Sequence, residues 1–297
     1  MTVRLAVIAL IAFAASTCTT ARRPPTPSPP AGAPSTDIYL YRLSRLLPFG
    51  SRLVNITNRR GYDNQPSWDG ETILYTSVRD GQADIYRYAN DQHERLTTTR
   101  ESEYSPAITP DGRAFSVVRV ERDSTQRLWR FPLDGGPPTV VLENVKPVGY
   151  YAWLDSTTVA LFVLGSPNTL QIADTRTGRA RVVTTNIGRS LQRVPESMRA
   201  SYVHRVGDRW QLETVDPRLR ANGTFDVDTL GFLPDSADYV VWRSPTELYT
   251  GAGSRIYRMR LPDRRWQQVA ELGGLRRISR LAISPDGRTI AVVADEP

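Results

Sequence analysis

Apolar and polar positions alternate along this chain in short runs, each closed by a turn dipeptide, and that patterning predicts β-strands. After Asp69-Gly70 comes Thr72-Ile73-Leu74-Tyr75-Thr76-Ser77-Val78, rich in β-branched and aromatic residues. Arg79-Asp80-Gly81-Gln82 turns the chain into Asp84-Ile85-Tyr86-Arg87-Tyr88, and Asn90-Asp91 turns it again into His93-Glu94-Arg95-Leu96-Thr97. Outside an N-terminal apolar run, no stretch sustains a helical period.

The four-strand unit recurs. Ser67-Trp68-Asp69-Gly70, Thr109-Pro110-Asp111-Gly112 and Ser284-Pro285-Asp286-Gly287 share one phrase, with weaker copies at Trp153-Leu154-Asp155-Ser156, Val194-Pro195-Glu196-Ser197 and Leu233-Pro234-Asp235-Ser236. Their acidic positions, 69, 111, 155, 196, 235 and 286, are spaced by 42, 44, 41, 39 and 51 residues. A period of roughly 40 to 45 is that of a four-stranded propeller blade. Second strands are predicted at 114 to 120, 158 to 164, 199 to 206, 239 to 244 and 289 to 295. Third strands are predicted at 84 to 88, 127 to 131 and 255 to 259.

The last period supplies only two strands, 280 to 284 and 289 to 295. The missing pair is found near the N-terminus, where Asp37-Ile38-Tyr39-Leu40-Tyr41-Arg42-Leu43 reads as a third strand and Arg52-Leu53-Val54-Asn55-Ile56-Thr57 as a fourth. The expected fold is therefore all-β: a six-bladed propeller over 37 to 297, its last blade shared between the two ends, which leaves no free sheet edge at the seam.

These phrases resemble those of the TolB-like six-bladed propellers, whose repeats carry a Ser-Pro-Asp-Gly turn, a β-rich strand, an Asp-Gly turn and an Ile-Tyr strand. The resemblance covers 37 to 297 and is most specific at 66 to 143 and 278 to 297. It extends to the propeller alone, because the segment before 37 is too short for the α/β domain that precedes the propeller in TolB itself. It implies a non-catalytic interaction module of the bacterial cell envelope.

Residues 1 to 17 read as an export signal: Arg4, an apolar stretch from Leu5 to Ala15, then Ser16 and Thr17. Cys18, the single cysteine, follows directly and resembles the lipidated first residue of a bacterial lipoprotein. Ordinary cleavage near Ala21 and an incidental cysteine are the other readings. The rest of the 18 to 36 segment, with Pro24, Pro25, Pro27, Pro29, Pro30 and Pro34, has the composition of a semi-rigid spacer. An exported protein is expected, periplasmic or held at the outer membrane by its lipid.

Among 297 residues the formal charge is +7, and of 38 basic residues only Lys146 is a lysine. Export makes nucleic acid a poor partner for that charge. No serine-nucleophile elbow or phosphate loop is present. The two histidines, His93 and His204, fall in different blades. Asp226-Val227-Asp228 lacks the Gly and Glu of a calcium loop and reads as strand. Asp69, Asp111 and Asp286 read as turn caps. No catalytic residue, cofactor or metal is assigned.

Propeller topology gathers the fourth-to-first loops on one face, around the mouth of the central channel. Those loops and the residues flanking them carry Arg59, Arg60 and Tyr62; Arg100, Glu101 and Tyr104; Lys146, Tyr150 and Tyr151; Arg189; and Arg276 and Arg277. Asp63 and Glu103 interrupt the series. Arg79, Asp80, Arg122, Asp123, Arg205 and Asp208 lie on the neighbouring loops. An Arg- and Tyr-rich concave rim suits recognition of an envelope protein or an extended acidic peptide by a monomeric propeller. Two alternatives remain at this stage. One is a glycan- or small-ligand-binding propeller that uses Trp68, Trp153, Trp242 and Tyr151 as stacking platforms; the other is a propeller-type polysaccharide lyase or hydrolase.

Overall fold

A computed structural model describes residues 35–43 and 53–295. The export segment, Cys18 and nearly all of the Pro-rich spacer lie outside the described residues. Twenty-four strands form six four-stranded antiparallel sheets. The chain enters through β1 (Thr36–Arg42) and β2 (Leu53–Asn55). Blade one follows as β3 (Asp63–Asp69), β4 (Thr72–Arg79), β5 (Gln82–Ala89) and β6 (Gln92–Arg95). Blade two is β7 (Ser102–Ile108), β8 (Ala114–Val120), β9 (Gln126–Pro132) and β10 (Thr139–Val140). Blade three is β11 (Val148–Trp153), β12 (Thr158–Val163), β13 (Thr169–Asp174) and β14 (Arg179–Thr185). Blade four is β15 (Ile187–Arg193), β16 (Ala200–Val206), β17 (Arg209–Leu219) and β18 (Phe225–Phe232). Blade five is β19 (Val240–Ser244), β20 (Glu247–Ala252), β21 (Arg255–Arg260) and β22 (Arg265–Glu271). β23 (Arg276–Ile283) and β24 (Thr289–Asp295) complete the ring.

Blade six runs β2-β1-β24-β23. Its seam is continuous over seven residue pairs, from Thr36 opposite Asp295 to Arg42 opposite Thr289. Ile38 and Val293, facing each other across that seam, are both fully buried. The two ends of the chain thus share one sheet, as the repeat pattern predicts.

One expectation is corrected. Residues 239 to 244 are the first strand of blade five, and its second strand is β20. The turn between them reads Ser244-Pro245-Thr246-Glu247, with Thr-Glu where blades one, two and six have Asp-Gly. Leu233-Pro234-Asp235-Ser236 belongs instead to the connection from blade four. β17 and β18 are long for this fold, so the acidic phrase fell early and the next spacing stretched to 51.

The turn phrases work as capping devices. Thr109 and Ser284 donate their hydroxyls to Asp111 and Asp286 at 2.6 Å each, and those carboxylates accept the amides of Arg113 and Arg288. Gly112 and Gly287 follow with φ of 66° and 68°, a left-handed conformation that a Cβ disfavours. Asp69 departs from this pattern: its backbone carbonyl, rather than its carboxylate, accepts a bond, from the Thr72 hydroxyl at 3.0 Å.

The core is six clusters, one between each pair of neighbouring blades. Three tryptophans bridge alternate interfaces. Trp68 donates its indole N–H to the Ala282 carbonyl of blade six, Trp153 to Ser116 Oγ of blade two, and Trp242 to Ser201 Oγ of blade four. Tyr151 donates to the Ser105 carbonyl, at 2.8 Å, in the same wall. All four aromatics proposed as glycan platforms are therefore tied into blade-to-blade contacts, and Trp242 is buried.

Candidate functional site

The first strand of each blade is innermost, and its neighbours set the channel: β3 packs against β7 and β23, and β15 against β11 and β19. Each enters from a fourth-to-first connection, so all six connections ring one mouth. Local geometry sorts the rim residues expected there into three groups.

The first group is neutralised in place. Arg59 reaches Asp63 Oδ2 at 3.1 Å and the Val78 carbonyl at 3.0 Å. Arg189 bonds Asp238 Oδ1 at 3.1 Å and the Ser279 carbonyl at 2.9 Å. Arg277 makes a two-pronged pair with Asp295, at 2.7 and 2.8 Å, which also ties β23 to the end of β24. Glu101 is taken up by Arg119 and Arg122.

The second group is exposed and forms no ion pair among the described residues: Arg60, Arg100, Lys146 and Arg276. These four sit at the connections from blade five to six, six to one, one to two and two to three. They are consecutive around the ring. The other two connections contribute the paired Arg189 and the acids Asp235 and Asp238. The collar expected from sequence is thus a cationic arc covering two-thirds of the mouth.

The third group lies inside. Tyr62 is sunk beside Tyr104, Tyr150, Arg189 and Arg280, where burial pushes its phenol pKa well above the usual value. Tyr150 packs edge-on against Phe162, with ring centroids 5.7 Å apart. The tyrosines of the predicted rim therefore form the throat of the channel.

Arg280, on β23, was missed by sequence reasoning. It is 6% exposed, and its guanidinium lies 4.5 Å from the Tyr239 ring centroid and 5.2 Å from that of Tyr150. Tyr239 belongs to the neighbouring blade and Tyr150 to the blade opposite, so the side chain crosses the channel. A signal was present: Arg280-Leu281-Ala282-Ile283 puts a lone charge in an otherwise apolar run destined for an innermost strand.

Beneath this crossing is a cavity of about 400 Å³ bordered by all six first strands, including Gln65, Ser105, Trp153, Gln192, Trp242 and Arg280. Gln65 and Ser105 sit at bulges of β3 and β7 with φ of 58° and 54°. Bulges re-aim side chains, and left-handed non-glycine backbone is strained. Gln65 Oε1 accepts the Ser105 amide at 2.8 Å, locking the two together.

The other titratable clusters are occupied. His93 Nδ1 lies 2.8 Å from the Tyr75 hydroxyl, and His204 Nδ1 3.2 Å from Glu213 Oε1, three blades away. Asp226 pairs with Arg199 and Arg220 in β18, the strand expected for that segment. Among the described residues no three His, Cys, Asp or Glu side chains group as metal ligands.

No family model and no curated protein matches this chain. Solved structures do. A putative TolB from Agrobacterium tumefaciens aligns with a TM-score of 0.66 at 16% identity, covering 90% of this chain and all of that one. TolB from Acinetobacter baumannii aligns at 0.50 and 22% identity, over 60% of this chain and 45% of that longer one. An oligogalacturonate lyase in complex with manganese aligns at 0.58 and 15%, over 82% of this chain and 80% of that chain. Identities this low speak to fold alone. In fold, the chain is a TolB-like six-bladed propeller.

Proposed function

We propose that this chain is an exported, non-catalytic propeller, lipid-anchored at Cys18, that binds an extended acidic segment of a cell-envelope protein at its channel mouth. The observation that carries the reading is the cationic arc: Arg60, Arg100, Lys146 and Arg276 stand exposed and unpaired on four consecutive connections. Long unpaired cations cost little to leave in water. Arrayed on one concave face, they steer an acidic chain to it and fix its register. The engagement of His93 and His204 with partners in separate blades supports a binding role over acid–base chemistry. The apolar run before Cys18 supports export.

The test is charge reversal on the arc. Arg60→Glu, Arg100→Glu and Arg276→Glu together leave the ion pairs of Arg59, Arg189 and Arg277 intact, so the fold is retained by circular dichroism. Affinity purification from the envelope of the native cell should recover an acidic partner with the parent protein and lose it with the triple variant. Equal recovery with both proteins overturns the proposal. Labelling with a fatty-acid analogue, absent in Cys18→Ser, tests the anchor separately.

A further inference from the structure

Arg280 presents an energetic problem that the fold alone does not explain. A guanidinium taken out of water costs several kcal/mol unless a counter-charge or a full set of acceptors replaces the solvent. No carboxylate pairs with Arg280 among the described residues, and its Nε has no acceptor. The two tyrosine rings compensate in part, as cations over aromatic faces do.

Two more polar atoms at the same cavity are unsatisfied, Ser105 Oγ and Arg189 Nε. Ser105 is one of the two residues held in strained backbone there. Three residues that border one cavity thus each hold a buried polar atom without a partner, with strained backbone beside them, which marks a place where an acceptor is wanting. From this we infer that the channel is a binding site for a small organic monocarboxylate, with Arg280 as its charge partner.

The chemical class follows from charge and shape. Arg189 is offset by Asp238, and Arg193, the other cation bordering the cavity, is exposed and donates to the Ser197 carbonyl, which leaves Arg280 as the one buried, uncompensated positive charge. A monoanion matches it, whereas a phosphate dianion would bury an excess negative charge. None of the Arg280 N–H groups is paired with a carboxylate among the described residues, and the planar edge of a guanidinium fits one in the two-pronged manner. The flat walls from Trp153, Trp242, Pro66, Pro106 and Pro285 suit a ring or chain attached to that carboxylate. A volume of about 400 Å³ falls within the range of small-molecule sites. This inference is independent of the arc reading, because the arc lies outside the throat.

Benzoate serves as probe and benzamide as its uncharged isostere. Benzoate at a hundredfold its Kd should raise Tm by about 5 °C. It should also change the fluorescence of the channel tryptophans, and benzamide should do neither. Arg280→Met removes the charge and keeps most of the volume. It should leave the ligand-free Tm equal to or above that of the parent, as expected when a buried unpaired charge becomes apolar, and should abolish the benzoate response. Arg280→Lys keeps the charge without the fork and should weaken binding at least tenfold. The arc variant should bind benzoate as the parent does, so loss of the envelope partner and loss of benzoate are separate results. The inference is overturned if benzoate and benzamide act alike, if only inorganic phosphate stabilises the protein, or if Arg280→Met lowers Tm and leaves the benzoate response intact.

Discussion

At the scale of single residues, this propeller places charges where burial decides their behaviour. Glu103 is fully buried on β7, with Arg119 Nε at 3.5 Å and the Thr99 hydroxyl donating to it, and its Oε2 has no partner. Desolvation outweighs these contacts and pushes its carboxyl from 4.5 up to about 7. A raised folded pKa means that the fold favours the neutral acid. The stabilising contribution is therefore complete below about pH 4.5 and is lost as pH rises through about 7. The shift corresponds to about 3 kcal/mol. Glu103→Gln keeps an acceptor for Thr99 and carries no charge. Urea denaturation at pH 5 and pH 8 should show the parent losing about 1–3 kcal/mol more than the variant across that interval. Equal losses would place the pH dependence elsewhere.

At the scale of strands and turns, the sequence is most informative where local chemistry repeats. Asp111 and Asp286 name their turns because a hydroxyl two residues earlier and an amide two residues later converge on one carboxylate. Blade five escaped register because Thr246-Glu247 turns the chain without that device. The candidate site was legible only in part. Loop membership follows from topology, so the positions of Arg60, Arg100, Lys146 and Arg276 could be read in advance. That Arg59, Arg189 and Arg277 would be neutralised depends on Asp63, Asp238 and Asp295, of which two are contributed by other connections or by the far end of the chain. Packing between strands was equally hidden. Gly251 in β20 faces β23 so closely that a Cβ there would lie 2.3 Å from Ile278 Cγ2. Gly251→Ala should destabilise the fold by about 1–3 kcal/mol through overpacking. Ile278→Val in the same chain should recover part of that loss, as thermal denaturation of the double variant can show. Additive losses would mean that the two positions do not share space.

At the scale of the whole molecule, stability is a property of a closed ring. Each of the six core clusters lies between two blades, so no blade buries its faces alone, and the seam in blade six couples the first strand to the last. Leu40 and Ala291 are direct partners across that seam. Paired antiparallel residues have Cα atoms about 4.5–5.5 Å apart, within disulfide reach. Leu40→Cys with Ala291→Cys should cross-link under oxidation and, by closing a loop of this size, stabilise by up to about 5 kcal/mol. The readout is Tm with and without reductant; failure to cross-link would contradict the seam. The same seam dictates an order of events during biogenesis. Strand β1 leaves the ribosome first, yet its partner β24 is synthesised only after five complete blades. The opening strand must wait, with one edge unsatisfied, through nearly the entire synthesis of the propeller. The ring therefore cannot shut until its final strand has been made.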